Sequence, residues 1–176
     1  IHHLFQVTET NYAAQIRLML NTLFGAYGLV IIDGDDRELK RAFAPLMKRE
    51  LTEQFIQEQV HKTNEELIAR GKTIQAHVRP INLFYLSAGN RARIIANDHG
   101  YSADNLQWKK EELLEELDKY PERFSPNVLF RPIYQEHILP NICYVGGSGE
   151  MAYWVQLKSA FTHVGVPFPS LQTRVS

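Results

Sequence analysis

The chain has 176 residues, of which 44% are hydrophobic and 22% are charged, an ordinary composition for a globular protein with a sizeable core. Its 19 basic and 20 acidic residues nearly cancel, so no strong net field favours nucleic acid or an anionic membrane as a partner. No apolar run approaches the roughly 20 residues of a membrane-spanning helix, and the single cysteine, Cys143, excludes an internal disulfide, so we expect a cytoplasmic protein.

The first predicted elements are a helix and a buried strand. Apolar residues recur at helical spacing, namely Tyr12, Ile16, Met19, Leu20, Leu23 and Phe24. Gly28 should end this helix, and residues 29–32 are typical of a buried strand, which an acidic turn at residues 33–36 closes. The carboxylates of that turn could hold Mg²⁺, although a capped, solvated turn is the commoner role for such residues.

A long amphipathic helix is predicted next, with Asp36 as its cap. One face of this helix carries Leu39, Phe43, Leu46, Met47, Leu51 and Phe55. Beyond Phe55 the sequence turns polar as far as Gly71, so we expect the helix to project from the body or to pack thinly there.

The middle of the chain is predicted to be a small inserted element. Residues 81–86 and 93–96 are typical of a β-hairpin, and a short amphipathic helix follows until Pro121. If the hairpin strand is regular, Arg91 and Arg93 share one face. With Arg79 they could form an anion patch, or they are simply solvated charges.

Arg131 lies in an apolar segment that is predicted to begin a helix. Ser125 can cap this helix, Pro126 fits its first position, and the proline after Arg131 should distort it. An arginine among such apolar residues needs a carboxylate, phosphate or carbonyl partner. Arg131 is therefore a candidate site residue, with an internal ion pair to Glu136 or Glu150 as the structural alternative.

The most informative stretch is ICYVGGSGEMAYW, residues 142–154. It predicts a buried strand, with Cys143 as a small core residue, that enters a glycine turn and then a helix. Ligands bind at such strand ends in open α/β sheets. Glu150, in the first helical turn, would repel a phosphate and suit an ammonium group or a metal-bridged phosphate, unless it only complements the helix dipole. Three aromatic side chains should bury against the sheet, namely Tyr153, Trp154 and Phe161.

The glycine turn also matches a dinucleotide fingerprint, but weakly. Gly147 to Ala152 fit G-x-G-x-x-G/A, yet no acidic residue follows Met151 to hold a ribose, and no Lys-Ser/Thr pair follows the glycines as in a Walker loop. The histidines show no close-spaced ligand pattern, so no metal site is predicted. We expect Gly149→Ala to disrupt the turn more than Gly165→Ala.

Five segments, in order along nearly the whole chain, resemble one enzyme family. They are YGLVIIDGDDRELKRAFAPLMKREL, RPINLFYLSAGNRARI, SPNVLFRPIYQE, LPNICYVGGSGEMAYW and VPFPSLQTR. These segments resemble the bacillithiol biosynthesis cysteine-adding enzymes, the cysteine ligases called BshC. The resemblance implies a Rossmann-like core similar to class I aminoacyl-tRNA synthetases, with inserted connecting segments and a C-terminal coiled coil. Because family members are much longer, we expect an interior piece, in which His2 and His3 are native residues or the remnant of a tag.

The resemblance further implies a ligase that joins cysteine to the amino group of a glucosaminyl-malate, with ATP or ADP as the nucleotide. Cysteine and glucosaminyl-malate would be its small-molecule partners, with no nucleic acid or membrane and with a homodimer in the full-length protein. The isolated chain is expected to be inactive. Two other classes stay open: a non-catalytic α/β scaffold or dimerisation module, and a nucleotide-binding oxidoreductase domain, which the missing acidic residue weakens.

The predicted architecture is α/β, a Rossmann-like parallel-sheet core fragment with a small inserted β-hairpin and helical element. Residues 1–70 would form the first part of the core with a long helix, residues 71–124 a connecting insertion, and residues 125–176 the return to the core with the glycine turn. Arg131 and Glu150 are the predicted catalytic residues. The predicted substrate- or nucleotide-binding residues are Gly146, Gly147, Ser148, Gly149 and Asn127.

Overall fold

The computed structural model describes residues 12–87 and 89–174. The chain divides into two compact units, Ile1–Gly34 and Asp35–Ser176. His2 and His3 lie outside the described residues. Within the described ranges, no helix combines the length and apolar character needed to cross a membrane. The predicted division into three parts at residues 70 and 124 stays a prediction.

The first unit consists of a helix and an extended segment. Helix α1 (Tyr12–Phe24) continues into a 3₁₀ turn, Gly25–Tyr27, and ends at Gly28, whose φ of 80° disfavours any residue with a β-carbon. The predicted helix is therefore confirmed. The predicted buried strand at residues 29–32 is wrong, because these residues form no strand and Val30 is 69% exposed. Among this unit's described residues, no strand lies beside residues 29–32 to satisfy their backbone hydrogen bonds.

The acidic turn after this segment serves ion pairing and capping. Asp33 Oδ2 lies 3.6 Å from Arg17 Nη1. Asp35 Oδ1 lies 2.7 Å from the buried Lys40 Nζ. Asp36 Oδ1 accepts hydrogen bonds of 2.9 and 3.0 Å from two backbone N–H groups in the first turn of the next helix, so the predicted cap is confirmed.

The predicted long helix is in fact two helices, α2 (Arg37–Glu53) and α3 (Phe55–Ala69). Between them Gln54 adopts a left-handed conformation with a φ of 54°, which interrupts the helical hydrogen-bond ladder. Helix α3 does not project from the body. Its buried residues are Phe55, Ile56, Val60 and Thr63.

The predicted hairpin is present as strands β1 (Leu83–Ser87) and β2 (Asn90–Arg93). Its second strand lies earlier than the predicted residues 93–96, because Asn90 already pairs with Ser87. A further strand, β6 (Phe124–Pro126), pairs with the other edge of β1, so the antiparallel order is β2–β1–β6. Strand β2 is therefore an edge strand.

A second antiparallel sheet was not predicted. Its strands, in the order β3–β4–β5, are Ile95–Asn97, Gly100–Ala103 and Leu106–Trp108. Each strand has only three or four residues, too few to show a clear two-residue alternation. The amphipathic helix predicted before Pro121 is confirmed as α4 (Lys110–Lys119), which buries Leu113 and Leu117.

The helix predicted to begin at Ser125 begins later, as α5 (Arg131–Ile138). Ser125 belongs to β6 and does not cap the helix. Asn127 holds the turn that leads into α5, because its Oδ1 accepts 3.0 Å hydrogen bonds from the backbone N–H groups of Leu129 and Phe130. The proline after Arg131 lies in the first helical turn, where a missing N–H costs nothing.

The C-terminal part contains the parallel pairing of the fold. Strands β7 (Cys143–Gly146) and β8 (Ser170–Thr173) pair in parallel, and the helices α6 (Ser148–Gln156) and α7 (Lys158–Val164) connect them. Parallel strands joined through helices are the repeating unit of Rossmann-like folds, so the predicted α/β class is confirmed. Helix α7 packs against α3.

The burial predicted for this region is correct for Trp154 and Phe161, only partly correct for the half-buried Tyr153, and wrong for the strand. Trp154 and Phe161 are fully buried and belong to one hydrophobic core cluster with side chains from α2, α3 and β1. Cys143, which was expected in the core, is exposed. Ile142 is 94% exposed and Val145 is 54% exposed. Cys143 and Val145 lie two residues apart and are both exposed, so the face of β7 that they share is not covered by the described residues.

Candidate functional site

The candidate site lies where β7 ends and α6 begins. Gly146 is buried at the last position of the strand. A β-carbon there would lie 2.8 Å from both Met151 Cε and Tyr144 Cε1, closer than such atoms can approach. Close packing rather than an unusual backbone angle therefore favours glycine at position 146, because a β-carbon would force the Met151 or Tyr144 side chain to shift.

Gly147 leaves room for a cation. Its φ of −71° suits any residue, but a β-carbon would lie 3.2 Å from Arg174 Nη2. Arg174 is held beside the turn because its backbone N–H donates to Gly146 O at 2.9 Å, which extends the β7–β8 pairing. The sequence interpretation missed Arg174. The signal available was its position at the end of a second strand that enters the same sheet.

Glu150 is anchored by one backbone donor and one side-chain donor. Its Oε2 accepts from Gly147 N at 3.0 Å, and its Oε1 accepts from the Tyr144 hydroxyl at 3.1 Å. Since glycine has no side chain to complete a capping box, only the glutamate half of that motif is present. The Gly147 N–H and then the Tyr144 hydroxyl lower the pKa of Glu150, with smaller contributions from the Arg174 and Arg131 guanidinium groups. Glu150 is thus a fixed carboxylate.

Arg131 faces the same cluster from α5. Its Nη2 donates to the Tyr153 hydroxyl at 3.3 Å, and its Nη1 donates to Gln135 Oε1 at 3.1 Å. Burial acts to lower the pKa of Arg131, but the Tyr153 and Tyr144 hydroxyl groups outweigh it and raise the pKa. Arg131 therefore stays a cation.

The internal ion pair considered for Arg131 is not formed among the described residues. Glu136 is fully buried, and its Oε2 accepts from Asn141 N at 2.7 Å instead. Tyr144 donates to Glu150 and is also influenced by Arg131, whose charge acts on Glu150 as well. An arginine held by neutral partners keeps its positive charge available for an anionic ligand.

Tyr144 joins these groups. Burial, followed by the hydrogen bond to Glu150, raises the pKa of its hydroxyl, so the proton stays on the phenol and points toward the carboxylate. The ring stacks on Trp154, with centroids 4.0 Å apart and an interplanar angle of 19°. The sequence interpretation did not single out Tyr144. Its position two residues before Gly146 puts it on the same face of the strand.

The remaining predicted site residues are not part of this cluster. Ser148 and Gly149 are exposed at the start of α6, and a β-carbon on Gly149 would meet no atom within 4 Å. Asn127 is buried elsewhere: its Nδ2 donates to Asn82 Oδ1 at 2.8 Å. The predicted pair Arg131 and Glu150 does lie at one site.

Asn127 belongs to a buried network around Glu50. Glu50 is fully buried, and its Oε1 accepts from Asn82 N and Nδ2 at 3.0 and 2.8 Å. Its Oε2 accepts from Ile56 N at 3.1 Å, at the start of α3. Burial raises the pKa of Glu50 to about 7 even though these donors act to lower it. This network ties α2, α3 and the segment before β1 together, so we assign it a structural role.

The strand-end cluster offers one anion and two cations at one end of β7: Glu150, Arg131 and Arg174. An ammonium group suits Glu150, and a carboxylate or a developing oxyanion suits an arginine. A phosphate bound directly at the start of α6 is disfavoured, because the Gly147 N–H and the positive end of the helix already face a carboxylate. Among the described residues, no three His, Cys, Asp or Glu side chains come together as a metal site.

The chain matches a family model described as "Bacillithiol biosynthesis BshC, N-terminal Rossmann-like domain" over residues 2–175. Among its relatives are proteins named "Putative cysteine ligase BshC". The one from Flavobacterium johnsoniae is 48% identical over 168 residues, which is 94% of this chain and 31% of that protein. The one from Christiangramia forsetii is 48% identical over 162 residues, 91% of this chain and 30% of that protein.

A more distant relative of the same name, from Lysinibacillus sphaericus, is 35% identical over 173 residues, 96% of this chain and 32% of that protein. The chain thus spans slightly less than a third of the length of these curated relatives. The match of the family model covers nearly all of the chain, including both strands of the candidate site. The chain therefore belongs to the bacillithiol biosynthesis BshC family and matches its N-terminal Rossmann-like domain.

Proposed function

We propose that this chain is part of a ligase that joins cysteine to the amino group of a glucosaminyl-malate in bacillithiol biosynthesis. The names of the family and of the relatives support the ligase class and the pathway. The observation that carries the assignment of the site is the cluster at the end of β7, where Tyr144 links the Glu150 carboxylate to the Arg131 cation.

The charges of the cluster match a cysteine that reacts through its carboxyl group. Glu150 would hold the α-ammonium group, which is not consumed when the amide forms. ATP would first convert the carboxyl group into a mixed anhydride with phosphate or AMP. Arg131 would then stabilise the negative charge that develops on the carbonyl oxygen as the amine attacks and phosphate or AMP leaves. Tyr144 would act as a positioning residue, because its hydrogen bond fixes the orientation of Glu150. The main contribution of these side chains is to orient the reactants and to stabilise charge.

The family resemblance implies ATP or ADP as the nucleotide, but the glycine turn does not fit a phosphate group. Glu150 Oε2 already accepts from the Gly147 N–H that a phosphate would use, and its negative charge would repel the phosphate. We therefore assign no nucleotide step to this turn. The homodimer and the cytoplasmic location stay predictions.

The test uses a full-length family enzyme that carries this sequence as its corresponding segment. Formation of the cysteine amide from cysteine, glucosaminyl-malate and ATP is measured for Arg131→Gln, with Arg41→Gln as the matched control. Arg41 is also a helical arginine, but it is exposed and paired with Glu38 at 2.6 Å. We expect kcat/KM to fall at least about tenfold for Arg131→Gln and to stay unchanged for the control. Equal kcat/KM values in both variants would favour the scaffold alternative.

A further inference from the structure

The outer face of the β2–β1–β6 sheet carries two arginines on one aromatic ring. In the antiparallel register, Phe84 pairs with Arg93, and Arg91 lies two residues before it on the same strand. The Cζ atoms of Arg91 and Arg93 lie 3.8 and 5.0 Å from the centroid of the Phe84 ring. Both distances are within the roughly 6 Å over which a ring face attracts a cation. We call these three residues the Phe84 platform.

The position of Arg91 on the platform is fixed from three strands. It belongs to β2, stacks on the ring from β1, and donates through Nη2 to Pro126 O of β6 at 3.1 Å. Arg93 is exposed and contacts the Phe84 ring. Arg91 Nη2 also lies 3.4 Å from Ser125 Oγ, so the other N–H groups of Arg91 and those of Arg93 are the donors available to a ligand. Because these guanidinium groups are already held in place, they lose little conformational entropy when a ligand binds to them.

The positive charge of the platform is not neutralised. Five other arginines form ion pairs with carboxylates, namely Arg17, Arg37, Arg41, Arg49 and Arg123. In the described part of the chain, neither Arg91 nor Arg93 forms such a pair. Two adjacent guanidinium groups without a carboxylate partner are a favourable environment for an oxyanion. Each guanidinium group can donate two N–H hydrogen bonds to such an anion.

The structure also indicates which side of the ring the anion would occupy. Toward the hairpin turn, Arg91 lines an open depression together with Glu122 and Arg123. Both of these charges are already paired, with Arg37 and Glu116 respectively, so the depression adds no unpaired cation to Arg91. Toward Arg93, a second guanidinium group contacts the same ring and forms no ion pair among the described residues, so this side is the more favourable place.

We propose that the Phe84 platform binds an oxyanion, a phosphate or carboxylate group of a small-molecule ligand, through Arg91 and Arg93. This site goes beyond the proposed function, because it lies on a different sheet from the turn after β7. The competing explanation is that charges on the edge strand β2 only prevent pairing with other sheets. That explanation predicts no saturable anion binding.

The test is a titration of the folded chain with pyrophosphate and, separately, with L-malate at constant ionic strength, followed by calorimetry and by the NMR signals of the arginine side chains. We expect one of the two probes to saturate, with shifts at Arg91 and Arg93. Arg93→Gln should weaken that binding about tenfold, since one bidentate donor is lost. Phe84→Leu should also weaken it, because the ring that fixes both cations is gone.

A control variant and the NMR signals separate this site from others. Arg41→Gln should leave the affinity unchanged, and the shifts at Arg91 and Arg93 report this site alone, so a failure of the proposed function at Arg131 does not affect this result. If Phe84→Leu unfolds the chain, the exposed Arg93→Gln decides alone. Saturation by pyrophosphate identifies a phosphate ligand, and saturation by malate identifies a carboxylate. Absence of saturation by either probe, or equal affinity in Arg93→Gln, would overturn the proposal.

Discussion

Glu50 and Glu150 are two glutamates with similar hydrogen-bond partners and opposite behaviour. Both accept from backbone N–H groups at the start of a helical segment. Glu50 is fully buried, and burial raises its pKa to about 7. Glu150 lies at a strand end close to two guanidinium groups, and its pKa is lowered. The donors alone therefore do not decide the charge of a carboxylate, because the loss of water around Glu50 outweighs them.

This difference separates a structural carboxylate from a candidate functional one. The Glu50 carboxylate satisfies buried donors from distant parts of the chain, and nothing in that network faces solvent. Glu150 keeps its charge next to cations, which is the arrangement a zwitterionic ligand requires. Removing Glu50 should therefore reduce stability, whereas removing Glu150 should mainly reduce activity.

The largest effect is expected for Glu50→Ala. The substitution leaves the buried N–H donors of Asn82 and Ile56 without an acceptor. We expect the free energy of unfolding to fall by about 3 to 5 kcal/mol, measured by urea denaturation. Glu53→Ala on the same helix is the control, because Glu53 is exposed and only pairs with Arg49. A loss below about 1 kcal/mol for Glu50→Ala would contradict the structural role.

The pH dependence of stability should reveal Glu50 directly. Its pKa is about 7 in the folded chain, against 4.5 for an ordinary glutamate in water, so the folded state binds the proton more tightly. The resulting stabilisation is complete below pH 4.5 and is lost as the pH rises toward 7, a change of about 3 kcal/mol. Glu150 has a lowered pKa and acts in the opposite direction, with its stabilisation lost as the pH falls.

The variant Glu50→Gln checks this assignment, because it cannot titrate. Its unfolding free energy should be lower at acidic pH than that of the parent chain, since one amide N–H₂ group then faces N–H donors. Its stability should also lose the decline between pH 4.5 and 7. A decline that persists unchanged in Glu50→Gln would show that another group causes it.

Two glycines provide the next comparison, and the structure reverses the expectation from sequence. Gly165 ends α7 with a φ of 71°, where alanine is strained, so Gly165→Ala should cost about 1 kcal/mol or more. Gly149 lies inside α6 with open space around it, so Gly149→Ala should stabilise the chain by about 0.4 to 1 kcal/mol. Melting temperatures of the two variants check this order. A lower melting temperature for Gly149→Ala than for Gly165→Ala would restore the original expectation.

Local sequence signals were sufficient for part of the fold and of the site. The cap at Asp36, the hairpin, and the glycine turn with Glu150 depend on residues within a few positions of one another. The prediction of a strand at residues 29–32 failed because local apolarity does not show whether a partner strand lies beside it. Local apolarity also does not show whether another layer covers the face of a strand, and Cys143 is exposed although β7 pairs with β8.

The partners of the site residues come from distant positions, which local periodicity cannot show. Arg131 meets Tyr153 at a separation of 22 residues, and Arg174 reaches the turn only through the parallel register of β8. In the Glu50 network, Glu50 and Asn82 are 32 positions apart in the sequence, and Asn82 and Asn127 are 45 positions apart. In the sequence alone, Glu50 therefore looked like an ordinary helical glutamate. Asn127 was singled out for the site, although its partners lie in this network.

The most direct test of the central claim compares kinetics with stability for Glu150→Gln in a full-length family enzyme that carries this sequence. Glu38→Gln is the matched control, because Glu38 is also a first-turn glutamate but is exposed and paired with Arg41. We predict that kcat/KM of Glu150→Gln falls at least tenfold, about 1.4 kcal/mol, while unfolding free energy changes by no more than about 1 kcal/mol. Glu38→Gln should retain normal kinetics. Normal kinetics for Glu150→Gln together with a lowered melting temperature would contradict the claim and leave Glu150 as a helix-capping residue.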